Sequence, residues 1–241
     1  KTGPNKSAIA ACRKLASRLP ELSGERIRTE FFRTLLAPAS ADTIALMRGD
    51  KILESILPEI TEVGRLRTLT FLETRALNVP TVVPDEIRRL AALINVDEMG
   101  AKQLAARLKL SNKQADRLVK LSTQPQATSP ELSTHTIRLQ LRHLGANVTR
   151  DLLLIAWAGE LSTEVCQSSS RTAQWTAILE EIDNWVPIGF PLTGLDVLKV
   201  GVEPGKPVGD VLNVIESWWE SEEYAPDREA CLEYLENLTA N

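Results

Sequence analysis

The feature that most constrains this chain is its punctuation: helix start and stop signals recur throughout the 241 residues, and stretches alternating with period two are nearly absent. That pattern points to an all-α fold, an irregular multi-helix bundle without a repeat of fixed period. The spacing predicts a first helix over 7–19, ended by Pro20, and a second entered through Ser23 and stopped by Pro38. A short helix is expected over 40–47 and a longer one over 61–77. Pro84 suits a first helical position, with Asp85 and Glu86 at the positive end of the dipole, and Asp97 and Ser111 cap the next two helices. Pro130 suits the first turn of "ELSTHTIRLQLRHL", residues 148–158 ("VTRDLLLIAWA") read as a buried helix, and another helix is expected over 172–182.

Towards the end, Thr193 and Asp196 are spaced to cap a helix that Gly201 closes in the left-handed conformation. A turn at Pro204-Gly205 then leads to a helix with the apolar face Val208, Val211, Leu212 and Ile215, ending at Trp218-Trp219. This is a helix–turn–helix hairpin with few positive charges, so packing is its expected role. The polar segment 122–130, "STQPQATSP", is the most linker-like. Three parts are expected: 1–60, 61–145 and an acidic helical part over 146–241.

A hydrophobic content of 43% is enough for a sizeable core. No run approaches the roughly 20 apolar residues of a membrane helix, and the first residues lack a signal-peptide core, so no membrane partner is expected and the default compartment is the cytoplasm or an equivalent such as the mitochondrial matrix. Cys12, Cys166 and Cys231 are far apart and odd in number, which suggests neither a disulfide framework nor a cysteine metal site. Residues 1–150 hold 24 Lys and Arg against 15 Asp and Glu, a balance of +9, whereas residues 151–241 hold 4 against 17, a balance of −13. A basic first part suits a polyanion such as RNA; an acidic end suits solvent or protein contacts and repels phosphate.

Catalytic signatures are missing: no GxxxxGK[ST], GxGxxG, HExxH or GxSxG is found, so no catalytic residue is assigned. His135 and His143 lie eight apart on one expected helix, too far for joint ligation, and no metal site is expected. Two strings carry denser chemistry. In "SGERIRTEFFRTLL", Arg26 and Glu30 are i,i+4, Glu25 and Arg28 are i,i+3, and Glu30 and Arg33 are i,i+3, beside an apolar face of Ile27, Phe31, Phe32 and Leu35. These pairs are expected to organise the framework. In "AARLKLSNKQADRLVKL", Arg107, Lys109, Lys113, Arg117 and Lys120 gather around a tight connection; Lys113, Arg117 and Lys120 share one face, with Asp116 the single opposing charge, as a stripe tracking phosphates would.

Together these strings resemble the C-terminal part of the class II tRNA nucleotidyltransferases, the CCA-adding enzymes, and their relatives the bacterial poly(A) polymerases. Ser23, Glu25, Arg26, Arg28 and Glu30 look like the family's S-x-E-R-[IL]-x-x-E neck helix, "LMRGDKILESILPEI" looks like a body segment ending in Leu57, Pro58 and Glu59, and "AARLKLSNK" and the glycine-spaced run from Gly194 to Leu212 echo further family strings. The resemblance implies the rest of a neck, a body and a tail that hold the acceptor and T arms of tRNA through the backbone. It also implies that the catalytic head, with its magnesium-binding aspartates, is missing from this chain, which itself takes no cofactor. A first residue that is lysine rather than methionine favours a fragment over the alternative, a free-standing non-catalytic interaction protein of the same fold. CCA and poly(A) addition are not separable, because the deciding residues lie in the head.

Overall fold

A computed structural model describes residues 5–77, 79–123, 129–164 and 167–239. Among the described residues there are thirteen α-helices and no strand, only an isolated antiparallel bridge between Ile60 and Ile94. The chain divides into two compact units, residues 1–132 with 144–183, and residues 133–143 with 184–241. This differs from the three parts read along the sequence. Helices from both sides of the boundary expected near residue 146 pack within the first unit, so its continuity is spatial and not sequential.

In the first unit α1 (Lys6–Leu15) is capped by Asn5, whose side chain accepts from the Ser7 and Ala8 amides, and it passes into a 3-10 turn over Ala16–Glu21. The single α-helix expected over 7–19 is therefore two elements. Pro20 lies inside the tighter turn, because proline disfavours α geometry in the residue before it. Helices α2 (Gly24–Leu36) and α3 (Ser40–Gly49) follow, then α4 (Val63–Phe71), which widens into a π turn over Leu72–Ala76. Helix α5 (Glu86–Leu93) starts two residues later than a first helical position at Pro84. Asp85 is its cap, accepting from the Arg88 amide at 2.8 Å, and leaves Pro84 outside.

Helices α6 (Glu98–Arg107) and α7 (Asn112–Thr123) have the expected caps, Asp97 and Ser111. Of the linker-like stretch, 124–128 lies outside the described residues, as does Cys166. The unit is completed by α9 (Ala146–Thr163) and α10 (Ser169–Asp183). Small residues let α4 and α9 approach closely: the Thr68 hydroxyl donates to the Ala158 carbonyl at 2.6 Å, and an added methyl at Gly159 would stand 3.7 Å from Arg65. Arg65 in turn closes the end of α5 by donating to the Ala92 and Ile94 carbonyls at 2.7 and 2.6 Å, which satisfies groups a helix end leaves unpaired.

The second unit contains α8 (Thr134–Leu144, in this unit to residue 143), α11 (Gly194–Lys199), α12 (Lys206–Ser221) and α13 (Arg228–Thr239). Pro130 is not in the first turn of α8; Ser133 caps that helix through the Thr136 amide at 3.1 Å. The hairpin forms as its residues direct. Thr193 and Asp196 make a reciprocal capping box, and Gly201 and Gly205 adopt φ of +89° and +113°. Leu192, Val197, Ile215, Trp219, Cys231 and Leu235 form the core of this unit.

Candidate nucleic-acid interface

The two charged strings meet in space. Gly24 opens α2 against the end of α6 so tightly that a methyl group there would stand 2.1 Å from the Arg107 carbonyl oxygen. Helix α6 ends in a Schellman motif: the Lys109 amide donates to the Ala106 carbonyl at 3.2 Å and the Leu110 amide to the Ala105 carbonyl at 3.0 Å. Lys109 thus holds the left-handed position, φ +50°, where glycine is usual. Arg28 donates to the Lys109 carbonyl, and Arg107 reaches Glu59 at 2.5 and 2.6 Å. Hydrogen bonds from its own backbone and from Ser23 lower the Glu25 carboxyl from its ordinary value.

The pairing expected within α2 is largely replaced by these longer-range contacts. Of the anticipated pairs, Glu30 with Arg33 forms, at 3.1 Å, between exposed side chains. Glu25 and Arg26 are exposed and form no ion pair among the described residues, while Arg28 turns to a backbone carbonyl. The neck string is therefore organised by Ser23 as a cap, Gly24 as a close approach and Arg28 as a strut.

Arg117 also departs from its expected role. Its guanidinium donates to Asp85 at 2.9 Å and to Asp151 at 2.8 Å, and although burial works against its charge, these carboxylates raise its pKa above the ordinary value. Behind it, Arg88 donates to Glu73 at 2.8 Å and to Asp151 at 3.0 Å, and Arg89 donates to Glu73 at 2.6 Å and to the Leu35 carbonyl. Glu73 is carried inward by the π turn, which explains the departure from α geometry there. Burial pushes the Asp151 carboxyl up, against the pull of Arg117 and Arg88. Three cations face three anions in this network, so it adds no net charge to the surface above it. Sequence spacing gave no sign of it, since the partners lie 15 to 63 residues apart.

Above the network lies a cleft of about 690 Å³ lined by residues of α5, α7 and the start of α9, including Lys113, Asp116, Arg117, Lys120 and Asn147. Lys113 and Lys120 are exposed and form no ion pair among the described residues, and no side chain caps α9 at Gly145. With Arg117 neutralised, the rim keeps two lysines against Asp116 and the positive end of a helix dipole, an arrangement that attracts anions. Of the five basic residues read from the sequence, the structure brings Lys113, Arg117 and Lys120 to this cleft and uses Arg107 and the Lys109 backbone as braces. No group of three or more His, Cys, Asp or Glu side chains that could hold a metal ion is found among the described residues. No described helix is long and apolar enough to cross a membrane.

Residues 5–63 match a family model described as "Probable RNA and SrmB- binding site of polymerase A". The match covers about a quarter of the chain, and the similarity to curated proteins lies with CCA-adding enzymes. Among curated relatives, CCA tRNA nucleotidyltransferase 1, mitochondrial, of Homo sapiens is 26% identical over 86 residues, 36% of this chain and 20% of that protein. The Mus musculus protein of the same name is 24% identical over 86 residues, with the same coverage. The chain thus matches about a fifth of the length of these relatives. The matched segment 5–63 comprises α1 to α3 and the approach to α4, and it includes Ser23, Gly24, Arg28 and Glu59.

Proposed function

We propose that the chain is the tRNA-binding helical part of a CCA-adding tRNA nucleotidyltransferase, whose full form adds CCA to tRNA 3′ ends in the cytoplasm or the mitochondrial matrix. The observation that carries this reading is the match of residues 5–63 to an RNA-binding segment, joined by the similarity to CCA-adding enzymes. Two kinds of work follow on this reading. Ser23, Gly24, Arg28, Arg107 and Lys109 fix α2 to the α6–α7 connection, and the exposed Lys113 and Lys120 are the residues proposed to meet RNA phosphates, a role their place on the cleft rim supports. The two lysines are two helical turns apart, about 10 Å along the axis, so they can reach separate phosphates. Such contacts position an RNA without reading its bases.

The chain's partners on this reading are tRNA and a catalytic head that holds the magnesium ions. Titrating labelled tRNA with the full chain at several salt concentrations tests it: affinity should fall with salt, and Lys113→Glu with Lys120→Glu should weaken binding and reduce the salt slope by about 0.9 for each phosphate no longer neutralised. Wild-type affinity and slope in that double variant would overturn the assignment of the two lysines. With magnesium, CTP, ATP and tRNA lacking its 3′ end, the chain should leave the RNA length unchanged; extension would overturn the reading of a headless part. The polymerase A wording of the matched family favours a second reading, part of a poly(A) polymerase, for which oligo(A) should compete with tRNA at equal affinity.

A further inference from the structure

We propose that the outer face of α12 and α13, in the acidic second unit, is a docking surface for a basic amphipathic segment of a protein partner. The proposal does not rest on the RNA reading. Trp218 of α12 and Tyr234 of α13 stack face to face, with ring centroids 4.1 Å apart and planes 1° from parallel. Val214 lies one turn before Trp218 and Leu238 one turn after Tyr234, and these are 47% and 38% exposed. The helix pair already buries its inner face through Ile215, Trp219, Cys231 and Leu235. Trp218 and Tyr234 are half-buried at the edge of that core, and with the exposed Val214 and Leu238 they extend it into an apolar stripe on the surface of the helix pair, with a tryptophan and a tyrosine at its centre, the residue types that most often anchor protein interfaces.

Charge selects the occupant. The unit holds 5 Lys and Arg against 11 Asp and Glu, a balance of −6 over residues 133–143 and 184–241. Three of those cations are spent: Arg142 on Glu216 and Glu220, and Lys199 and Arg228 on Asp196. Asp210, one turn before Val214, Glu222, one turn after Trp218, and Glu233, beside Tyr234, are exposed and form no ion pair among the described residues. A nucleic acid or an anionic membrane meets repulsion here, and a second copy brings the same negative charge. A helix with apolar residues at i, i+3 and i+4 between lysines and arginines satisfies both the stripe and its acidic border.

The experiment titrates the full chain into a fluorescent helical peptide of about 18 residues, leucines on one face and Lys and Arg elsewhere, and into its counterpart with Glu in place of the basic residues. The basic peptide should bind and the acidic one should not. Val214→Asp should weaken binding about tenfold or more, and Asp210→Lys with Glu233→Lys should do the same while flattening its salt dependence; all these positions are exposed, and unchanged melting curves confirm the fold. Unchanged peptide affinity in either variant, or equal binding of the acidic peptide, overturns the proposal. So does a wild-type dimer that Val214→Asp turns into monomer, which would assign the face to a second copy, or a loss of RNA affinity in that variant, which would assign it to nucleic acid.

Discussion

Arg117 has the spacing of a surface cation, three residues before Lys120 and four after Lys113, yet its partners Asp85 and Asp151 lie 32 and 34 residues away. Local spacing carries no information about such partners, so a stripe of three cations was legible but the removal of one from it was not. The same applies to Glu73, which is 5% exposed and serves both Arg88 and Arg89. Glu73→Ala leaves two buried guanidinium groups short of their counter-ion and should cost about 3–5 kcal/mol in urea unfolding. Arg26→Ala, by contrast, removes an exposed side chain without an ion pair among the described residues and should stay within about 0.5 kcal/mol of wild type. At Gly24 the ordinary rule reverses. Alanine normally stabilises a helix by about 1 kcal/mol over glycine. Here the added methyl meets the Arg107 carbonyl at 2.1 Å, so Gly24→Ala should destabilise, by about 1–3 kcal/mol in the same assay.

Among the elements, caps and breakers were the most readable features. Asp97, Ser111, the Thr193–Asp196 box and the left-handed Gly201 act where their types require, because each bonds within a few residues of itself. The split of the first helix was not legible because Pro20 reads as a stop after residue 19, whereas its effect on the preceding backbone extends back into a 3-10 turn over Ala16–Glu21; the π turn was not readable because it goes with the distant partners Arg88 and Arg89 of Glu73. Lys109 separates two roles by experiment. Its left-handed backbone favours glycine, so Lys109→Gly should raise stability by about 1 kcal/mol, read as a higher melting temperature. If tRNA affinity is unchanged in that variant, Lys109 serves the turn alone; a loss of affinity would show that its side chain also meets phosphate.

For the molecule as a whole, acid sensitivity follows from carboxylates held below their ordinary values. Arg171 and the Ser129 hydroxyl take Glu131 down to about 2, and Arg228 and Thr193 hold Asp196 low. Burial works to raise Asp85, but the Arg88 amide and Arg117 outweigh it and leave that carboxyl lowered too. A depressed folded value means stability that is present above the unfolded values of 3.8 to 4.5 and is lost as pH falls through the folded ones. Asp151 is raised and acts oppositely, losing stability as pH climbs through its folded value. The lowered groups outnumber it, so urea midpoints should fall between about pH 5 and about pH 2.5, and Asp196→Asn should flatten that fall.

The close approach at Gly24 also separates sequence likeness from folding. The segment marked by family likeness ends at residue 63, but its carbonyl at Leu35 is held by Arg89, its Glu59 by Arg107, and its Thr61 and Glu62 amides by the Leu93 carbonyl. Residues 5–63, matched as a block, are thus completed by side chains and backbone more than twenty positions downstream. A gene cut at that border would encode a recognisable sequence without a foldable object.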